Sequence, residues 1–333
     1  MRAPTAVRRA LALVAALIMT SALMACAGAG ASEDQHPAAA DGYPRTIKTD
    51  LGDVTIKSRP ERIVAASTNA AEIALSLVGP DRLIGVPEWS TEDRHSPFAA
   101  EARQVGHTVG TVANDPEQIL ALNPDLVLIT LAHDTERDAL KVLQQAGVPT
   151  LVLSHFPSVT TDALADISLI GEALGAEQKA TELVGQLRGR LDAVREAVAG
   201  STVKPRVVFI SMWLDNGPYA TGPGTINHDL VTLAGAANAI EDAGFDSSGY
   251  LDPEQLVKAA PTHIVTLDSG GVGLDKLTNG FLKNPALASV PAIAKDRILV
   301  LPDRMFSPAQ AGIEGLELMA KWLHDPNAAR EVQ

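Results

Sequence analysis

The sequence predicts an α/β protein of two lobes, each with a parallel sheet, joined by one long interdomain helix. Three observations carry this expectation. Short β-branched runs alternate with helical stretches, one uninterrupted helical pattern fills the middle of the chain, and one motif occurs once in each half.

Strands are predicted at Arg62–Ala66, Arg82–Val86, Leu126–Thr130 and Thr150–Ser154, with a second set at Arg206–Ser211, His263–Leu267 and Arg297–Leu301. Helical patterns separate them at Ala70–Val78, Pro116–Leu122, Thr135–Gln145, Thr225–Ala234 and Pro253–Ala259. Continuous apolar strands alternating with helices mark parallel sheets covered on both faces, because such strands have no solvent side. From Glu177 to Ala199 there is no proline and no strand signal. Leu183, Leu187, Leu191, Val194 and Val198 there step around one helical face. At 1.5 Å per residue this helix is about 35 Å long, and Gly200 and Pro205 supply its stop. It reads as a rigid strut. A small apolar hairpin is expected from Thr46 to Lys57, with Leu51-Gly52-Asp53 at its turn.

The N-terminus carries Arg2, Arg8 and Arg9, an apolar stretch from Leu11 to Leu23, and then Ala25 and Cys26. That is the layout of a secretory signal, and the stretch is shorter than the roughly 20 residues that span a bilayer. Cys26 is the only cysteine of the 333-residue chain. The run Leu23-Met24-Ala25-Cys26 resembles the bacterial lipobox, which implies a lipid on Cys26 and an extracytoplasmic protein anchored to the cell membrane. The segment to Gly42 is Ala, Gly, Ser and acid, a flexible tether. The expected organisation is therefore 1–25 signal peptide, 26–42 tether, 43–170 N-terminal α/β lobe, 171–200 linking helices and 201–327 C-terminal α/β lobe.

Removal of residues 1–25 takes away three arginines and no acid, so the net charge moves from −13 to −16. An acidic chain of this kind is no partner for nucleic acid and has no general affinity for anionic lipid. Without a second cysteine no intrachain disulfide can form, so stability rests on the core.

Asp115-Pro116-Glu117-Gln118-Ile119-Leu120 and Asp252-Pro253-Glu254-Gln255-Leu256-Val257 stand 137 residues apart, each ahead of a predicted strand. In both, the aspartate can cap a helix, proline takes the first helical position and acid lies near the positive end of the helix dipole. Matched copies, one per half, point to pseudo-symmetric lobes with a shared surface role.

Further stretches complete a pattern: Pro60-Glu61-Arg62-Ile63-Val64-Ala65 with Ala71-Glu72-Ile73, Asp81-Arg82-Leu83-Ile84-Gly85-Val86, the turn Ala146–Pro149, Gly222–Thr225 with Leu233-Ala234-Gly235, and Asp296–Leu301. With the repeated motif and the long helix, residues 45–325 resemble the class III periplasmic binding proteins, lipoproteins that deliver ferric siderophores, haem or cobalamin to ABC importers. The resemblance implies Rossmann-like lobes, and it implies that Glu117 and Glu254, one on each lobe, dock on arginines of an ABC permease. Exposed charges of this sort set orientation and association rate more than affinity. Glu72 also matches, and its place on a helical pattern gives it a structural role.

Ligands of open α/β sheets lie beyond the carboxyl ends of the strands. Aromatics make up only 4% of the chain, yet more than half of them fall in the loops there. The ligand-binding candidates are Trp89, His133, Phe156, Trp213, Tyr219, Tyr250, Arg304 and Phe306. Rings suit a large, partly flat ligand, and Arg304 suits an anionic group on it. His107, His133, His155, His228 and His263 are scattered, with no pair at metal-ligand spacing, so no metal site is expected. A haem would need His133, His155, Tyr219 or Tyr250 as its axial donor. Gly222-Pro223-Gly224-Thr225 reads as a helix-start turn or a phosphate cradle.

The expected function is capture of an iron–siderophore complex in an interlobe cleft and delivery to an ABC permease, by a monomer without a cofactor of its own. The Fe3+, or another chelated metal, belongs to the ligand. Cobalamin and then haem are the alternatives. An exported lipid-anchored hydrolase is the competing enzyme reading, but the chain has no Gly-x-Ser-x-Gly elbow and no cysteine left for chemistry, so no enzyme is expected.

Overall fold

The computed structural model describes residues 42–333 except 50, 111–114, 132–133, 155–157, 214–216, 269–279 and 308–309; at 134–136, 212, 213 and 306 it describes the backbone alone. The signal segment, Cys26 and the tether up to residue 41 lie outside the described residues, as do His133, His155 and Phe156.

Tyr43–Gln333 packs as one compact unit. It opens on the expected antiparallel hairpin, β1 (Arg45–Ile47) and β2 (Val54–Ile56). Gly52 takes φ 114° at the turn, a conformation that side chains disfavour. Tyr43 ties the hairpin to the body by donating its hydroxyl to the carbonyl of Ala173 at 2.9 Å.

Five parallel strands follow: β3 (Ile63–Ala65), β4 (Leu83–Pro87), β5 (Thr108–Val109), β6 (Leu126–Thr130) and β7 (Thr150–Leu153), in the order β5-β4-β3-β6-β7. Their helices are α1 (Thr68–Val78), α2 (Ala99–Ala102), α3 (Pro116–Ala121), α4 (Asp134–Gln145) and α5 (Leu164–Leu174). The chain winds outward from β3 to β5, then crosses back to β6 and β7. This reversal between β3 and β6 opens a crevice beyond the strand ends.

The strut is present as α6 (Glu177–Ala199), with Leu183, Leu187, Leu191 and Val194 buried along the expected face. Beyond it come β8 (Arg206–Trp213), β9 (Gly217–Ala220), α7 (Ile226–Leu233), β10 (Ala237–Asn238), β11 (Gly249–Tyr250), α8 (Pro253–Ala259), β12 (His263–Leu267), α9 (Pro291–Ala294), β13 (Ile298–Leu301), α10 (Gln310–Leu323) and β14 (Glu331–Val332). The second sheet runs β11-β9-β8-β12-β13-β14, with β10 also paired to β8. Strands β8, β10, β12, β13 and β14 are mutually parallel, whereas β9 and β11 add an antiparallel edge that the sequence did not announce. Pro218 disguises β9, since proline argues against a strand.

One apolar cluster runs from Ile63 and Leu128 of the first sheet, through Leu187 and Leu191 of α6, to Phe209 and Leu299 of the second. On the surface of the same junction, Arg190 of α6 makes a forked pair with Glu317 of α10, both bonds at 2.7 Å.

The sequence repeat is a structural repeat. Asp115 and Asp252 each accept from the backbone N–H three residues on, at 2.9 and 2.8 Å. Asn123 and Ala260, again 137 apart, both take left-handed backbone, with φ 49° and 42°. Arg62, just ahead of β3, and Arg206, at the start of β8, donate Nη2 to the carbonyls of Leu122 and Ala259 at 2.6 and 2.7 Å.

Candidate functional site: a cavity at the switch point of the first sheet

At the carboxyl ends of β3, β4, β5 and β6 lies a cavity of about 540 Å³, where the strand order reverses. Ser67, at the mouth of β3, caps α1 by accepting from the Ala70 N–H at 3.4 Å. Gln118 of the repeat turns its Oε1 to the Gly110 N–H at 3.1 Å, whereas Gln255 in the other lobe closes a reciprocal bond with Asp252. Trp89 borders the cavity from a single 3₁₀ turn after β4, held by the Thr91 hydroxyl on the Glu88 carbonyl at 2.7 Å. His95 stacks on the indole at 4.8 Å between centroids and 14° between planes. Half of the Trp89 side chain nevertheless remains exposed, at 52%. A large aromatic surface held rigid and left open is what a flat ligand needs.

The loop that carries Trp89 is fastened to the other lobe. His95 Nδ1 lies 3.2 Å from Asp303 Oδ2. The Arg304 N–H donates to the Arg94 carbonyl at 2.9 Å, and Arg304 Nη1 to the Asp93 carbonyl at 3.2 Å. Deeper in, Ser307 donates its hydroxyl to Glu72 Oε2 of α1 at 2.5 Å. Glu72 is 1% exposed; burial pushes its carboxyl up to about 7, while hydrogen bonding from Ser307 and the Ala311 backbone pulls the other way. Its Oε1 has no hydrogen-bond partner among the described residues. On another side, the Val159 N–H donates to Asp229 of α7 at 2.7 Å. At the end of β7 a second buried carboxylate, Asp166, accepts from the N–H and hydroxyl of Ser154, and burial raises it to about 6.

Of the expected ligand residues, Trp89 stands at the cavity. Tyr219 and Tyr250 meet edge to face at 5.3 Å and 82°, where β9 pairs with β11, and Tyr250 is exposed. Arg304 sits in the turn after β13, its guanidinium bonded to the Asp93 carbonyl across the lobe boundary. Trp213 ends β8 and Phe306 ends that same turn, with their side chains outside the description. Glu117 and Glu254 are the second residues of α3 and α8, and both are exposed. His95, Asp303 and the Glu72–Ser307 bond were not read from the sequence, since partners more than 200 residues apart leave no local spacing to find. Among the described residues no group of three His, Cys, Asp or Glu side chains is placed to hold a metal ion, and no helix is long and apolar enough to cross a membrane.

Two α/β lobes on a strut, with a cleft at the switch point and matched surface glutamates, define a solute-binding protein of the ABC-importer type. The chain belongs to the periplasmic binding protein family, whose model matches residues 63–305. It is 31% identical over 330 residues to the uncharacterised ABC transporter substrate-binding lipoprotein YvrC of Bacillus subtilis, covering 95% of this chain and 98% of that one. It is 28% identical over 326 residues to the cobalamin-binding protein of Halobacterium salinarum, covering 93% and 84%. Among solved structures, the periplasmic haem-binding protein RhuT from Roseiflexus sp. RS-1, in apo form, superposes with a TM-score of 0.67 at 28% identity, covering 78% and 95%.

Proposed function

We propose that this protein is an extracytoplasmic lipoprotein, anchored through Cys26, that captures a metal chelate between its lobes and hands it to an ABC permease. Glu117 and Glu254 orient the handover, one from each lobe. The half-open indole of Trp89 over the cavity carries this reading, because it offers a stacking surface that no core requires. An iron–siderophore complex is the cargo the sequence favours. Cobalamin is the second reading, supported by the cobalamin-binding relative that matches nearly the whole chain.

The test is a tryptophan-fluorescence titration of the mature chain with a ferric hydroxamate, ferric citrate, cobalamin and haem, corrected for inner-filter absorption. Saturable quenching by one compound at micromolar concentration or below, weakened at least tenfold by Trp89→Ala or Trp213→Ala, supports cargo and cleft together. Flat traces with all four compounds count against this choice of cargo.

A further inference from the structure

We propose that the cleft selects an electroneutral chelate, one whose rim presents carboxamide or hydroxamate groups rather than carboxylates or catecholates. This rests on the cargo reading above and narrows it.

The chemistry of the cavity wall carries the inference. Its polar groups are the hydroxyls of Ser67, Thr68, Thr108 and Thr130, the amide of Gln118, and the carboxylate of Glu88. Among the described residues no lysine or arginine lines it. Glu88 is exposed and forms no ion pair among the described residues. The guanidiniums of the adjoining loops are already engaged: Arg94 with Glu92 at 2.7 Å, Arg103 with Asp93 at 3.1 Å, and Arg304 with the Asp93 carbonyl at 3.2 Å. Multiply charged anions are held by forked arginine contacts or by the point charge of lysine, and among the described residues neither lines this cavity.

One feature pulls the other way. The amino end of α1 reaches the cavity, and a helix end is worth about half a positive charge within its first turn. Ser67 already occupies one of its N–H groups, and Glu88 in the same cavity lining sets a full negative charge against that half positive charge. An arriving dianion or trianion therefore meets net repulsion, which the mature charge of −16 strengthens. A neutral rim meets hydroxyls and an amide instead. Gln118 uses Oε1 on Gly110 and keeps its NH2 without a partner among the described residues, a donor for a carboxamide or hydroxamate oxygen.

The experiment titrates the full-length protein, in detergent, with cyanocobalamin, a neutral ferric trihydroxamate, haem and an anionic ferric tricatecholate at 0.05, 0.15 and 0.5 M salt. At 0.15 M a neutral chelate should bind at least tenfold more tightly than either anion. The gap should narrow as salt shortens the screening length from more than 10 Å to a few ångströms. Glu88→Gln should narrow the gap, strengthening anion binding about threefold or more relative to the neutral chelate. An anion that binds as tightly as the best neutral chelate, with no gain from Glu88→Gln, overturns the charge selection while sparing the cargo reading. No binding by any of the four overturns both.

Discussion

Glu72 gives the sharpest quantitative expectation. A glutamate has its reference value at 4.5, and burial in the folded protein raises Glu72 to about 7. Between those values the folded protein keeps a proton that the unfolded chain has released. The associated stability is therefore complete below about pH 4.5 and is lost as pH rises through 7. At about 1.36 kcal/mol per pH unit, this raised value corresponds to a loss of about 3 kcal/mol.

Glu72→Gln keeps the shape and the acceptor for Ser307 but does not titrate. The variant should match the native protein near pH 4.5 and exceed it by up to about 3 kcal/mol at pH 8. Urea denaturation across that range reads the difference directly. Asp166, raised in the same direction, is present in both proteins and cancels. A difference that stays constant with pH, or a native protein that gains on the variant as pH rises, would refute the argument. Either outcome would mean that Glu72 stays ionised as a cap on α10.

Three other expectations concern the clasp, the docking surface and the anchor. Asp303→Ala removes the partner of His95 and should cost about 1 kcal/mol, with faster amide hydrogen exchange across residues 88–95 as the check. Glu117→Lys and Glu254→Lys should each slow association with the cognate permease about tenfold at low salt while leaving cargo affinity unchanged, since exposed charges act on encounter; stopped-flow mixing with reconstituted transporter reads this, and an unchanged rate removes the docking role. Cys26→Ser should release the protein from the membrane fraction of expressing cells, and retention there would remove the lipid anchor.

The fold was legible because its signals are local. The alternating apolar runs, the leucine face of α6 and the duplicated Asp-Pro-Glu-Gln caps each depend on residues a few positions apart. The site was legible only in part, because its geometry is made by distant segments. Trp89 was found as a ring after a strand, but the histidine beneath it has its nearest carboxylate, Asp303, at the other end of the chain. Gly312 shows how little such a contact leaves in a sequence. A Cβ there would stand 1.7 Å from the Ser307 carbonyl oxygen, so this glycine lets the segment bearing Ser307 lie against α10 within reach of Glu72. In the sequence it is one glycine in a helical stretch. Arg304 was read as lying after β13, as it does, but its Nη1 bond to the Asp93 carbonyl joins residues 211 apart and leaves no local pattern.

The arrangement also bears on how far the lobes can move. Hinged binding proteins separate their lobes along flexible crossing strands, whereas here α6 packs against α5 on one side and α10 on the other within one continuous apolar cluster. Wide opening would expose that cluster, at about 25 cal/mol for every Å² uncovered. It would also leave the buried carboxyl of Glu72 without its only side-chain partner among the described residues. Small displacements cost far less, because the His95–Asp303 and Arg304–Asp93 links join loops rather than helices. His95, stacked on Trp89, is tied to the turn after β13, so the cavity-side ring and the second lobe are linked by side chains of the loops, with the strut as their fixed support.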